Sequence, residues 1–433
     1  MRLAIITTHP IQYNAPLFRH IEKYGNIDLK VFYTWGQSKD AVYDPGFGIL
    51  RSWDLDLLEG YEHEFVDNTS TDPGSHHYRG IVNPGIIKLI NEYSPDAMLV
   101  YGWKFNSHLS ILRYYHGKLP ILFRGDSTLL DESKIFSIKT FFRGALLKWV
   151  YKHIDFALSP GTSSDAYFTR CGLKSDQIIR APHAVDNETF SAGNEEKQHQ
   201  AIAWRRELKI PDDHKVFLFA GKLEPKKNPA LLINAFIELS KLRKDIHLII
   251  VGNGILEEEL KIQASAFLNL PKPSSTSLNP NIPSSTSLNF PKPSSTALIT
   301  FLPFQNQTTM PLVYHLGDVF VLPSAGPNET WGLSINEAMA SGKPVLVSDR
   351  CGGAVDLVTN GENGYIFQSG NQESLLIKMQ MMLSQDLHQM GVASREKIAN
   401  FSYMHFLESI TSVKDELCKL NTNPPRNKQY KEG

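Results

Sequence analysis

A chain of 433 residues, 42% hydrophobic and 21% charged, is long enough for two or three domains at roughly 100–200 residues each, with a core that needs no staples. Its 44 Lys and Arg nearly balance 45 Asp and Glu, an overall balance that does not point to nucleic-acid binding and leaves only a local basic patch open. Three scattered cysteines, Cys171, Cys351 and Cys418, make neither a disulfide framework nor a zinc-ligand spacing and fit a reducing compartment.

The N-terminus, Met1-Arg-Leu-Ala-Ile-Ile-Thr-Thr-His-Pro, carries an apolar run too short for a signal-peptide core. No later stretch approaches the ~18–20 apolar residues of a membrane span, so a cytoplasmic location is expected, with room for peripheral attachment at the inner membrane face. Leu3–Ile6 reads as a buried strand and Pro16–Glu22 as the helix after it. Strands follow at Leu29–Tyr33, Ala97–Tyr101, Pro120–Phe123 and Phe156–Ser159, with helical patterns between them, as at Ile138–Lys152. Short apolar runs separated by helices predict a parallel sheet covered on both faces. Residues 191–213 are charged and polar and read as a linker.

The pattern then restarts. Val216–Ala220 reads as a strand, and Asn228-Pro229 as an N-cap with Pro at the first helical position. Leu231, Leu232, Ala235, Phe236 and Leu239 share one helical face. Strands Ile246–Val251, Leu298–Phe301, Val319–Leu322 and Pro344–Ser348 come later. The fold class expected is α/β, with two tandem Rossmann-like domains over residues 1–190 and 214–400. Within the second, residues 268–297 form three units, LNLPKPSSTS, LNPNIPSSTS and LNFPKPSSTA. Their Pro, Ser and Thr cannot offset ordering entropy, which predicts a disordered, chemically silent insert. Residues 401–420 read as a helix with Phe406, Leu407, Ile410, Val413 and Leu417 on one face, and 421–433 as a disordered tail.

One constellation stands out: Pro323-Ser-Ala-Gly-Pro-Asn-Glu-Thr-Trp-Gly-Leu-Ser-Ile-Asn-Glu337 leaves a strand and enters a helix. In an open α/β sheet, ligands bind at such strand ends. Gly332 lets a backbone approach closely, and the amides of the next helical turn, at Leu333 and Ser334, favour an anion. Glu329 and Glu337 bracket the loop. Spacing alone leaves a blander reading open, because Ser334-x-x-Glu337 fits a capping box and Glu329 could be a loop acid. Lys222 and Lys227 in Gly221-Lys-Leu-Glu-Pro-Lys-Lys227-Asn could likewise be a solvated basic turn. Gly252-Asn-Gly254 after a strand is a weak signal without a third glycine.

The stretch from Pro323 to Phe367 resembles the acidic signature of family-4 retaining glycosyltransferases, which have the two-domain GT-B fold. It reads Glu329, TWGLSIN, Glu337, AMASGKPVLVSD and CGGAVDLVTNGENGYIF. The 221–228 segment resembles the family's Gly-Arg-x-x-x-x-Lys-Gly loop, with Lys222 at the Arg position, and Val251-Gly-Asn-Gly resembles its Gly-Asp-Gly turn. Pro182-His-Ala-Val-Asp186 resembles the segment that closes the first domain. The resemblance implies a first domain facing the second across a cleft, the first for a glycan or glycolipid acceptor and the second for a nucleotide-diphosphate sugar. A C-terminal helix would return to the first domain. It assigns Lys222 and Lys227 to the pyrophosphate, Glu329 to donor-sugar hydroxyls, Glu337 to the ribose, and the amides around Gly332, Leu333 and Ser334 to the phosphates.

In the first domain the chain departs from the pattern. The Thr7–Gln12 loop lacks the usual glycines, and Phe123-Arg-Gly-Asp126 stands where the family often has a catalytic His. Arg124 and Asp126 are the polar candidates, Asp126 the catalytic one; His9 and His108 are further options, though a lone His is commonly a loop or core residue. Glycosyl transfer builds negative charge on the departing diphosphate. A metal would require clustered acids; Asp54-Leu-Asp56 lies outside the donor pattern, so neither metal nor cofactor is expected. Lys139, Arg143, Lys148 and Lys152 beside Ile138, Phe141, Phe142 and Trp149 suit a membrane surface or an ordinary half-buried helix. A same-fold epimerase or phosphorylase, and a non-catalytic partner subunit, are the alternative functions.

Overall fold

The structure is a computed structural model that describes residues 1–36, 42–44, 49–51, 53–132, 137–267, 294–295, 298–414 and 417. Their contacts divide into two compact units. The first holds the described residues of Met1–Val42, Leu55–Asp186 and Asn400–Gly433, and the second those of Tyr43–Asp54 and Asn187–Ala399.

Unit 1 is built on β1 (Arg2–Thr7), β2 (Asp28–Tyr33), β3 (Glu62–Phe65), β4 (Ala97–Tyr101), β5 (Ile121–Arg124), β6 (Phe156–Ser159) and β7 (Ile178–Arg180). They pair in the order β3-β2-β1-β4-β5-β6-β7, all parallel. Leu3, Ala4, Ile5 and Ile6 are fully buried whichever face they point to, as helices on both faces of a parallel sheet demand. The core between sheet and helices gathers Ile6, Phe32, Met98, Val100, Phe123, Val150, Tyr151 and Phe168.

Unit 2 repeats the plan with β8 (Lys215–Ala220), β9 (Ile246–Val251), β10 (Ser294–Ser295), β11 (Ile299–Leu302), β12 (Val319–Leu322), β13 (Val345–Ser348) and β14 (Gly364–Phe367). The order is β10-β11-β9-β8-β12-β13-β14, parallel except for β10 against β11. In each sheet the order reverses beside the first strand, between β1 and β4 and between β8 and β12. Such a reversal opens a crevice at the carboxyl ends of the two strands.

Three expectations change. Residues 191–213 are no simple linker: Asn194–Glu207 is a helix whose Ala201, Trp204, Arg205 and Leu208 are buried in unit 2. These positions follow i, i+3, i+4, i+7 spacing, and the Arg among them hid the face. Asn228 does precede the Pro229–Leu242 helix, but at φ 50° and without a side-chain cap; its carbonyl, not its side chain, takes the Leu231 amide at 3.2 Å. Of the repeat insert, Ser294–Ser295 join the sheet edge as β10, and the rest lies outside the described residues, as does the 421–433 tail.

The C-terminal helix, Tyr403–Ser412, packs within unit 1 against the Asn14–Tyr24 helix. Phe406, Leu407, Ile410, Val413 and Leu417 are all buried. The Ser409 hydroxyl donates to the Arg180 carbonyl at 2.7 Å, pinning the helix to the end of β7.

Candidate functional site

The crevice of unit 2 is framed by the loop after β8, residues 221–228, and the loop after β12, residues 323–332. The two loops are joined backbone to backbone, Ala325 N donating to Lys226 O at 2.8 Å. At the join, Lys227 Nζ lies 2.5 Å from Glu329 Oε2, with side-chain exposures of only 16% and 7%. The Ser324 hydroxyl donates to the same oxygen at 3.0 Å. Oε1 accepts no hydrogen bond from the described residues and remains for another donor. Lys227 and Glu329 are far apart in sequence and meet only because β8 and β12 are neighbours.

Close packing sets the lysine loop. Gly252, at φ 135°, lies so near Gly221 that a Cβ would sit 2.0 Å from the Gly221 carbonyl oxygen. Leu223 N then donates to Asn253 O at 3.0 Å, and Asn253 Oδ1 accepts from Phe304 N at 2.7 Å. The Gly-x-Gly turn is therefore a spacer that lets the loop after β9 brace the loop carrying Lys222 and Lys227. Lys222 is half-buried at the start of that loop.

On the other side, Gly332 at φ 95° turns the chain into the Leu333–Ala340 helix, and no side chain caps that helix. Ile335 N donates to Gly332 O at 2.8 Å, and the amides of Leu333 and Ser334 are left for an outside acceptor. The capping-box alternative fails here. Ser334 lies inside the helix rather than before it, and its hydroxyl, buried, has no partner among the described residues. Glu337 turns inward instead, 3% exposed, and its Oε2 accepts from the Tyr314 hydroxyl at 2.6 Å. The Trp331 indole N–H donates to Asn336 Oδ1 at 2.8 Å, stiffening the turn between the two glutamates. Cys351 sits buried nearby; burial first, then the Glu329 charge, push its thiol up to about 12, so it is not a nucleophile at neutral pH.

In unit 1 the sequence candidates separate. Arg124 is a structural clamp: 5% exposed, it donates from Nη1 to the Leu158 and Ala181 carbonyls at 3.0 and 2.5 Å and lies 5.1 Å over the Phe406 ring. Burial lowers it to about 10, still charged at pH 7. Asp126 is half-buried in the loop after β5, within electrostatic reach of Arg124. His108 is fully buried. Its Nδ1 faces the Tyr101 carbonyl at 3.0 Å and so donates, leaving Nε2 to accept from the Thr34 hydroxyl at 2.9 Å. Burial holds it down to about 4, a neutral core histidine. His9 lies just past the carboxyl end of β1, half-buried, its Nδ1 3.0 Å from Thr8 Oγ1 and its ring edge-on to Trp35.

Asp54 and Asp56 bond different segments. Asp54 accepts from Thr308, whereas Asp56 Oδ1 accepts from Leu58 and Glu59 N at 2.9 and 3.1 Å. Sequence reasoning missed a trio of exposed Asp72 and His76 with half-buried His77: the His76 and His77 Nε2 atoms lie 3.5 and 3.2 Å from Asp72 Oδ2, near enough to share an ion.

Two doubly wound sheets with a cationic, acid-lined crevice in the second define a GT-B-type α/β fold, and known proteins agree. An Anabaena protein, Alr3699/HepE, solved with UDP and glucose, has a TM-score of 0.65 at 17% identity, covering 96% of this chain and 100% of that one. Sucrose-phosphate synthase from Thermosynechococcus elongatus has 0.67 at 16%, covering 97% and 99%. At these identities the likeness speaks for the fold. Residues 200–272 and 296–402 match the family model described as glycosyl transferases group 1. The D-inositol 3-phosphate glycosyltransferase of Corynebacterium diphtheriae is 29% identical over 253 residues, 57% of this chain and 52% of that protein. The chain spans about half the length of the curated relatives it matches. The match to the glycosyl transferases group 1 model falls almost entirely in the unit that holds Lys227 and Glu329.

Proposed function

We propose that this chain transfers a hexose-type sugar from a nucleotide-diphosphate sugar to a glycan or glycolipid acceptor, with retention and without metal or cofactor. The buried Lys227–Glu329 pair carries the reading, set beside an uncapped helix start at the reversal of the unit 2 sheet. Departure of the nucleoside diphosphate needs fixed positive charge where phosphate charge grows. Lys227, Lys222 and the amides at Leu333 and Ser334 supply it. Glu329, through Oε1, takes a hydroxyl of the donor sugar, and Glu337 the ribose. In the resting protein Lys227 and Glu329 neutralise each other, and the donor divides them, pyrophosphate to the lysine and sugar hydroxyl to the glutamate. Asp126 is the proposed acceptor-side catalytic group.

Assembly of a cell-surface polysaccharide or glycolipid is the proposed setting, on the cytoplasmic side of a membrane. No helix among the described residues is long and apolar enough to cross a bilayer. The Ile138–Tyr151 helix suits peripheral attachment: Ile138, Phe141 and Phe142 are 77%, 60% and 66% exposed, and Lys139, Arg143 and Lys148 share a helix that has no acid.

The test is nucleotide release from a panel of UDP-, GDP-, ADP- and dTDP-sugars, UDP-glucose first because the Anabaena relative was solved with UDP and glucose. It runs with and without EDTA, on wild type, Glu329→Ala and Lys227→Ala. Release from one donor, indifferent to EDTA and lost in both variants, is expected. Sugar isomerisation without release would favour an epimerase, and absence of both turnover and calorimetric donor binding would favour a partner subunit.

A further inference from the structure

Unit 2 carries a second cationic site at the opposite end of its sheet. Asp318 precedes β12, Lys343 precedes β13, and Arg205 and Arg395 reach in from the Asn194–Glu207 and Leu387–Ile398 helices. These are amino ends of parallel strands, about 13 Å, one four-residue strand, from the loops of Lys227 and Glu329. Asp318 is fully engaged: Oδ1 accepts from Arg205 Nη2 at 3.0 Å, and Oδ2 from Val216 N at 2.7 Å. Arg205 also donates from Nε to the Leu316 carbonyl at 2.9 Å.

That leaves two positive charges. Lys343 is 8% exposed, and its ammonium has neither hydrogen bond nor ion pair among the described residues. The Arg395 guanidinium, also without such a partner, lies against the same turn, its Nη1 1.9 Å from where a Cβ on Gly342 would sit. One residue earlier, the Ser341 hydroxyl is buried without a hydrogen-bond partner. Burial first, with Arg205 and Arg395, lowers Lys343 to about 8 against the pull of Asp318, so it stays largely charged at pH 7. His315 shows the same field: burial and the nearby Lys343, Lys197, Arg395 and Arg205 hold it down to about 3, and it adds no anion. Unsatisfied cations in a poorly hydrated turn are costly, and an oxyanion would relieve them.

We propose that Ser341, Lys343 and Arg395 form a binding site for a small tetrahedral oxyanion, inorganic phosphate or the phosphoryl group of a sugar phosphate, separate from the donor crevice. An ammonium, a planar guanidinium and a hydroxyl together match a phosphate's several oxygens. A ligand held there stabilises the turn between the Leu333–Ala340 helix and β13, and that helix opens on the donor loop at its other end. Occupancy therefore stabilises unit 2 by mass action. The competing role is dipole compensation, with Lys343 serving the last carbonyls of the Leu333–Ala340 helix.

The experiment uses the full chain with inorganic phosphate replacing chloride at constant ionic strength, read by calorimetry and thermal unfolding, with glucose 1-phosphate as a second arm. Wild type should bind phosphate and gain Tm, and Lys227→Ala should keep the share of that binding that Arg395→Gln loses. Lys343→Met and Arg395→Gln should each weaken binding at least ~10-fold, the loss of one charge-assisted contact. Stronger binding of the sugar phosphate than of free phosphate, lost in the same variants, would assign the phosphoryl source. If Lys343→Met does not fold, Arg395→Gln, at a half-exposed position, decides alone. Absence of phosphate binding by wild type, or binding kept in Arg395→Gln and lost in Lys227→Ala, overturns the proposal. A Lys343→Met chain that loses stability at every phosphate concentration alike, with binding intact, assigns the dipole role instead.

Discussion

Glu329→Gln should have opposite effects on binding of free nucleoside diphosphate and on sugar transfer. The substitution keeps the shape and the bond from Ser324 but removes the charge that holds Lys227 at 2.5 Å. At an effective dielectric of 20, that contact has a gross attraction of about 6–7 kcal/mol, which desolvation of both groups largely offsets. A net coupling of about 1–3 kcal/mol is the expected remainder for two groups in one contact. A diphosphate must overcome that coupling to claim Lys227, so releasing the lysine should tighten free diphosphate binding by about 5- to 150-fold. Turnover should fall at least ~100-fold, because the same carboxylate grips the sugar hydroxyl. Isothermal calorimetry with UDP and a coupled release assay read the two quantities on the same preparations. Lys227→Ala should lower both and lose about 3–5 kcal/mol of stability, since Glu329 is left buried with only a hydroxyl. Unchanged or weaker diphosphate binding by folded Glu329→Gln would refute the claim that the resting pair restrains Lys227.

Gly252→Ala would force a methyl to 2.0 Å from the Gly221 carbonyl oxygen, so the lysine loop must shift; a loss of about 1–3 kcal/mol in urea unfolding and a marked rise in donor KM are expected. His108, about 6.5 when unfolded, is held near 4 by burial, so the unfolded chain takes up the proton first as pH falls. Its contribution is complete above pH ~6.5 and declines to pH ~4, about 3 kcal/mol in all, and urea midpoints at pH 7.5 and 4.5 should show the loss shrink in His108→Gln. Phe141→Ser with Phe142→Ser should abolish co-sedimentation with anionic vesicles, without changing Tm by more than a degree or two, because both rings face solvent. Vesicle binding that survives the double substitution would remove the helix from any membrane role.

The α/β alternation was legible in the sequence because both faces of a parallel sheet are covered. A central strand must then be apolar along its buried length, as Leu3–Ile6, Leu248–Val251 and Val319–Leu322 are. In the two seven-stranded sheets the strands that escaped, β3, β7, β10 and β14, are the edge strands, where one side meets solvent or a loop and sequences such as Glu62-His-Glu-Phe65 suffice. The spacing of Glu329 and Glu337 and the position of Lys227 were likewise readable, since a strand-to-helix turn has a fixed chain length.

Partner choice was not readable, because it depends on which strands become neighbours. Tertiary structure alone decided that Glu329 pairs with Lys227, that Glu337 bonds Tyr314 instead of capping its helix, and that His108 is sealed in the core whereas His9 stays half-buried after β1. It decided also that Arg205 is buried on a helix within the segment read as linker, and that Lys343 and Arg395 flank one turn while Asp318 bonds Arg205 and Val216 N. Local sequence determines what a segment becomes, through periodicity and backbone sterics. Which charge faces which is set by the reversal of strand order, a property of the whole sheet.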